Sequence, residues 1–311
     1  MSPRIPTKAL LLFSSLCVAV SAAAAQRSPP PVTISGTELH SLPSKIVDDE
    51  FTVQVALPSS YGSGEKSYPV VYALDADLSF ASLAGSVRMA AFAQEMPEVI
   101  LVSQGYANPA VQRVMTSRSR DYTPIESAPP AAAGVSEESP PPTGGAPAFL
   151  RVLREEVIPF VEKTYRTTEQ RVFAGHSYGG LFGLYALFHA PQTFDAYLLG
   201  SPSIWFGDEV SFDYEATYAE DKDDLAARVF FGVGFLEEVP GLPPSDRFLM
   251  VTNTRKMYQR LKQRNYPSLE LELVLFDEET HMSVVPPLMG RGLRWLLRSE
   301  QTAAPTESGD D

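Results

Sequence analysis

The chain has 311 residues, with 25 basic and 38 acidic side chains and a formal net charge of −13. That acidic balance argues against a nucleic-acid partner, because affinity for a phosphate backbone rests on clustered Lys and Arg. A hydrophobic content of 44% with 20% charged residues excludes a globally disordered chain and suffices for one large core.

Arg4 and Lys8 precede an apolar run over residues 9–20, followed by Ser21-Ala22-Ala23-Ala24-Ala25. This is the layout of a secretory signal peptide over residues 1–25, with cleavage near Gln26. The run is too short to span a bilayer, so a secreted or periplasmic product with no membrane span is expected. Cys17, the one cysteine, lies inside that segment, so the mature domain must be held by its core rather than by a disulfide. His40, His176, His189 and His281 fall in no metal-ligand spacing, and neither a metal nor a cofactor is expected.

From there β-like runs alternate with helical patterns, which predicts a single α/β domain over 26–300 with a mostly parallel central sheet and helices on both faces. The predicted strands are 50–57, 69–74, 98–103, 171–174, 196–200, 228–234 and 269–276. The first alternates, as an exposed outer strand would, and the second is nearly all apolar, as a central one would be. The predicted helices are 80–94, 146–164, 179–189, 245–264 and 284–298. The helix over 179–189 is apolar almost all round, which fits burial against the middle of the sheet. Residues 124–147 break the alternation with Pro129-Pro130 and Pro140-Pro141-Pro142. A stretch of that length and composition reads as a flexible insertion, a lid or a plain surface loop. Residues 301–311 read as a disordered tail.

The strand over 171–174 runs into Gly175-His176-Ser177-Tyr178-Gly179-Gly180 and then into a helix. Gly-x-Ser-x-Gly between a strand and a helix is a nucleophile elbow, whose small flanking residues let strand and helix approach and lift the Ser177 hydroxyl out of the sheet. A serine hydroxyl needs a base to be a nucleophile near neutral pH. His281, just after the last predicted strand, is the candidate, in the chain order that an α/β hydrolase uses. The acid that orients it is expected after the strand over 228–234, where Glu237 is the choice and Glu238 and Asp246 are the alternatives; a serine–histidine pair without an acid also stays open. Oxyanion donors are expected from the Tyr178 amide at the helix start and from Asp77, or Ala76, in the loop after the strand over 69–74.

Tyr68-Pro69-Val70-Val71-Tyr72-Ala73-Leu74-Asp75, Arg118-Ser119-Arg120-Asp121-Tyr122, Gly175-His176-Ser177-Tyr178-Gly179-Gly180, Ser201-Pro202-Ser203-Ile204-Trp205 and Thr280-His281-Met282-Ser283 follow one another in the order seen in the putative-esterase family. The chain resembles that family most in its trilactone siderophore esterase branch, of the enterobactin and salmochelin type. The resemblance implies an α/β-hydrolase fold, Ser177 as nucleophile and His281 as base, with an ester as the small-molecule substrate. It also implies Arg118 and Arg120 near the mouth of the pocket and Trp205 in its wall. The insertion over 124–147 departs from the bacterial pattern. Three readings follow: a carboxylic-ester hydrolase acting on siderophore-type or aromatic esters, an acyltransferase using the same acyl-serine, and a ferric-siderophore binding protein without turnover.

Overall fold

The computed structural model describes residues 32–127, 140–239, 241 and 248–298. The fold and site belong to the compact unit that begins at Ile34. The leader-like segment over 1–25, the middle of the insertion, Asp246 and the tail over 301–311 lie outside the described residues.

Among the described residues eight strands build one sheet: β1 (Thr37–Pro43), β2 (Glu50–Ala56), β3 (Tyr68–Ala73), β4 (Ile100–Tyr106), β5 (Thr167–His176), β6 (Ala196–Gly200), β7 (Ala227–Gly234) and β8 (Leu269–Phe276). Their order is β1-β2-β4-β3-β5-β6-β7-β8. The β1/β2 and β2/β4 pairs are antiparallel, and every pair from β4 across to β8 is parallel. The helices are α1 (Ala76–Phe92), α2 (Val111–Tyr122), α3 (Ala146–Val152), α4 (Ile158–Thr164), α5 (Tyr178–His189), α6 (Phe206–Glu209), α7 (Ser211–Asp221), α8 (Met250–Arg264) and α9 (Val285–Leu296).

Alternation along each strand divides the core into two layers. Val172 and Ala174 of β5 join Leu83, Val87, Leu288 and Leu293 on the face covered by α1 and α9. Phe173, one residue out of phase, joins Phe149, Phe182, Phe212 and Met257 on the face covered by the other large helices. Every residue of α5 from Gly179 to Phe188 is buried, in keeping with its all-round apolar pattern. None of the described helices is long and apolar enough to cross a membrane.

Two sequence expectations are corrected, and one helix is added. The strand over 50–57 is not the outer one: β1 covers it, with Thr37 opposite Ala56 and Pro43 opposite Glu50. Its alternation reports one buried face, since Phe51, Val53 and Val55 are fully buried, and says nothing about whether its edge is paired. The helix over 146–164 contains a π turn at Leu153–Val157. Pro159, in the first turn of α4, cannot donate the amide bond that an α-helical ladder would need there. The Arg118-Ser119-Arg120 segment lies on α2, and Ser117, Ser119 and Asp121 of that helix are buried. The insertion is tied at its base, where the Ser127 amide donates to Thr143 Oγ1 (3.0 Å) and the Gly144 amide to Thr123 Oγ1 (2.9 Å). Ala146 begins α3, where the predicted helix over 146–164 starts.

Candidate active site

The end of β5 and the start of α5 meet at Ser177, whose φ of 60° and ψ of −118° are a conformation that side chains disfavour. Close packing sustains it. A Cβ on Gly175 would stand 2.3 Å from the Gly179 carbonyl oxygen, and one on Gly180 would stand 2.9 Å from that of Gly200. The Ser177 amide donates to the Gly200 carbonyl (2.8 Å), while the Leu181 amide donates to the Ser177 carbonyl (3.0 Å). Tyr178 is the first residue of α5, so its amide lacks an acceptor within the helix and carries part of the helix dipole. The Ser177 hydroxyl lies 3.4 Å from that of Ser203.

His281 sits in the loop after β8, and Glu237 in a single turn, Phe235–Glu237, that follows β7. The two side chains meet, with His281 Nδ1 2.6 Å from Glu237 Oε2. An ionised carboxylate only accepts, so Nδ1 carries the proton and Nε2 is left as the basic nitrogen. The other oxygen of Glu237 is also held: Ser201 Oγ donates to Oε1 (2.6 Å), as does the Gly234 amide (2.8 Å). The Glu237 side chain is 1% exposed, against 40% for His281. The Leu236 amide donates to the Glu279 carbonyl (3.0 Å), which fastens the loop of the acid to that of the base. Glu238 instead accepts from the amide of Thr252 (2.7 Å) near the start of α8.

Ser177 and His281 both line two cavities. The larger, about 480 Å³, is bounded by the β3–α1 loop, α2 and α9; the smaller, about 380 Å³, by Ser203, Trp205, Leu236, Glu237 and Phe248. Trp205 and Phe248 pack with ring centroids 4.6 Å apart and form the aromatic wall of the smaller one. Arg118 reaches the larger from α2. Its Nε donates to Asp75 Oδ1 (2.7 Å), and Nη2 donates to Asp75 Oδ2 (3.2 Å) and to the His176 carbonyl (2.9 Å). Burial opposes the Arg118 charge, but Asp75 overrides it and the guanidinium stays firmly protonated.

Two expected site residues stand elsewhere. Arg120 is bound to Asp121 (2.7 Å) and Asp49 (2.8 Å) and lines neither cavity. Two residues along α2 from Arg118, it leaves the helix on a different side, where the buried carboxyl of Asp121 claims it. Asp77 likewise lines neither cavity, and the β3–α1 loop enters the larger one through Leu74 and Asp75. Asp75 adopts a left-handed φ of 59° that starts α1 at Ala76. That start puts Asp77 in the first turn, its carboxylate accepting from the Tyr106 amide (3.0 Å). Burial raises the Asp77 pKa, against the stabilising Tyr106 bond.

His176, the residue before the elbow serine, is turned into the supporting structure rather than serving as the base. Its ring lies under that of His281, centroids 4.6 Å apart at 40°. It is 9% exposed and neither ring nitrogen has a hydrogen-bond partner. Burial first, then His281 and Arg118, hold its pKa well below the usual 6.5, so it stays neutral. Ser201 bonds the acid and Ser203 faces the nucleophile, roles that nothing in their spacing announces.

A family model described as putative esterase matches residues 44–268. The chain belongs to that family. It is 29% identical over 279 residues to the ferri-bacillibactin esterase BesA of Bacillus subtilis, covering 86% of this chain and 92% of that protein. It is 33% identical over 275 residues to the siderophore enterobactin esterase of Emericella nidulans, covering 80% and 90%. Among solved structures, the BES protein from Bacillus cereus superposes with a TM-score of 0.73 at 27% identity, over 88% of this chain and all (100%) of that one. The chain is thus an esterase with the α/β-hydrolase fold.

Proposed function

We propose that the chain is an exported serine esterase that cleaves siderophore-type esters through an acyl-enzyme, with Ser177, His281 and Glu237 as its triad. The observation that carries this reading is the 2.6 Å contact between Glu237 and His281 beside an elbow serine that lines the same cavities. Ser177 Oγ attacks the ester carbonyl as His281 Nε2 takes its proton, and the amide of Tyr178 stabilises the oxyanion at the positive end of α5. His281 returns the proton to the leaving alcohol, and water repeats the sequence to free the acid. Buried Glu237 keeps the proton on Nδ1 and stabilises the imidazolium that forms. The siderophore class is supported by the substrates named for the two curated relatives, and export by the leader-like composition of residues 1–25.

The test is labelling by a fluorophosphonate with the adduct mapped by peptide mass, then turnover of p-nitrophenyl esters and siderophore esters. Labelling at Ser177, lost with activity in Ser177→Ala, is expected; Ser177→Ala retaining near-normal turnover refutes the triad. Fractionation of the source cells with an antibody to the mature chain checks export, and a purely cytoplasmic signal refutes that part alone.

A further inference from the structure

Two amides are needed to receive an oxyanion, and in this fold they come from separate segments: the elbow, here Tyr178, and the loop after β3 that opens α1. β3 and β5 run side by side as far as Ala73 and Ala174, and the ladder closes with the Leu74 amide donating to the Ala174 carbonyl (3.1 Å). Past that point the chains part. Asp75 turns into α1 with a φ of 59°, and Ser177 turns into α5 with a φ of 60°. Both conformations are disfavoured for side chains and persist only where the surroundings enforce them. Arg118, brought in from α2, braces both turns. Among the described residues its side chain is the hydrogen-bonded link between them: Nε and Nη2 grip the Asp75 carboxylate (2.7 and 3.2 Å), and Nη2 also donates to the carbonyl of His176 (2.9 Å), the neighbour of Ser177. The guanidinium carbon also lies 5.5 Å from the centre of the Tyr178 ring, a cation–π contact with the residue that carries the elbow donor. The side chains of Arg118 and Asp75 are each 12% exposed, so water competes little for these bonds.

Resting on the serine-esterase reading above, we infer that Arg118 and Asp75 form a strut that sets the separation of the two oxyanion donors, with Arg118 acting as a positioning residue. A planar fork can hold a carboxylate and a carbonyl at once in fixed geometry, which a flexible ammonium cannot. Misplacing a catalytic group by about 1 Å can cost about 100-fold, and losing an oxyanion donor costs about 100- to 1,000-fold in kcat. Loss of the strut is therefore felt in kcat, where charge develops on the carbonyl oxygen. Nη1 has no acceptor within the chain; a substrate oxygen bound there would add ground-state affinity, and its loss would be felt in KM.

The experiment measures kcat and KM for p-nitrophenyl butyrate, and the rate of fluorophosphonate labelling, in Arg118→Met, Asp75→Asn and the double variant. Asn tolerates the left-handed turn but sets its NH2 group against a guanidinium nitrogen, so Asp75→Asn breaks the strut and leaves the arginine in place. The expected result is a fall in kcat of about 100-fold in each single variant with KM within about 3-fold of the parent. Labelling slows in parallel, because the phosphonyl oxygen fills the same hole, and the double variant is no worse than the poorer single one. Should either single variant fail to fold by circular dichroism, Arg118→Lys keeps the charge beside Asp75 without the fork and is expected to lower kcat by at least about 10-fold at near-parental KM. A raised KM with parental kcat in Arg118→Met makes the arginine a substrate contact and overturns the strut. Parental kcat in Asp75→Asn, or losses that multiply in the double variant, overturns it as well. A parent that is not labelled at Ser177 overturns the triad reading and the strut with it, whereas a labelled, active parent confines the failure to the strut.

Discussion

Replacing Glu237 by Gln keeps the volume of a side chain that is 1% exposed and alters only charge and donor pattern. Oε1 accepts from Ser201 Oγ and from the Gly234 amide, so the amide oxygen of Gln must take that place. Its NH2 group then faces His281 Nδ1, 2.6 Å away in the parent. Two donors cannot share that bond, so Nδ1 must lose its proton and Nε2 must carry it. The nitrogen that should accept from Ser177 is thereby blocked, and the imidazolium loses its counter-charge. The acid-to-amide change in the chymotrypsin triad, with the same logic, lowers kcat by about 10⁴, equivalent to about 5.5 kcal/mol of transition-state stabilisation. A fall of that order in kcat for p-nitrophenyl butyrate is expected here, with KM changed by less than about 10-fold. Circular dichroism and a urea melt must show a folded protein. Glu238→Gln is the control, because Glu238 serves Thr252 rather than His281, and it should stay within about 3-fold of the parent. Glu237→Gln retaining more than a tenth of parental kcat refutes the tautomer argument and favours a serine–histidine pair with no working acid.

Gly175→Ala drives a methyl to 2.3 Å from the Gly179 carbonyl oxygen, so it should cost about 3 kcal/mol or more and displace Ser177; urea stability and activity within error of the parent would show that the elbow is looser than this packing implies. Arg120→Met strands the carboxyl of Asp121, which is 1% exposed and bonded to Arg120 at 2.7 Å, and should cost about 3–5 kcal/mol in a urea melt while kcat/KM of the folded fraction stays near parental; a selective change in KM would place Arg120 at the substrate after all. His176 has a pKa depressed below 6.5 by burial, so below that pH the unfolded chain binds a proton that the folded chain refuses. Its contribution is present above the unfolded pKa and is lost as pH falls from 6.5 toward the depressed folded value, by at most about 1.4 kcal/mol per pH unit. Folding stability of His176→Phe, measured by urea at about pH 7.5 and about pH 5.5, should therefore fall less on acidification than that of the parent, and identical losses would mean that His176 does not titrate on unfolding.

The proposed catalytic line was legible because each of its members is announced locally. Gly175 is demanded by a contact within the elbow itself, with Gly179, and Glu237 and His281 follow the ends of β7 and β8, strands with apolar patterns strong enough to number from the sequence. What escaped was polar. Helix α2 turns Ser117, Ser119, Asp121 and Tyr122 inward, so it has no apolar stripe to reveal it, and β1, exposed at Glu38, Leu39, Ser41 and Pro43, carries little core signal. Without α2 as a helix, Arg118 and Arg120 read as equivalent, yet they serve different ends. Apolar burial is nearly indifferent to which partner supplies the contact, so composition alone records it. A buried ion pair is not indifferent, since each charge needs one particular opposite charge in reach. Arg118 is held at the cavity by Asp75, 43 positions upstream, and Arg120 reaches beyond its neighbour Asp121 to Asp49, 71 positions upstream. Those separations are tertiary information, which is why the candidate catalytic residues could be read along the chain while the partners of these two arginines could not.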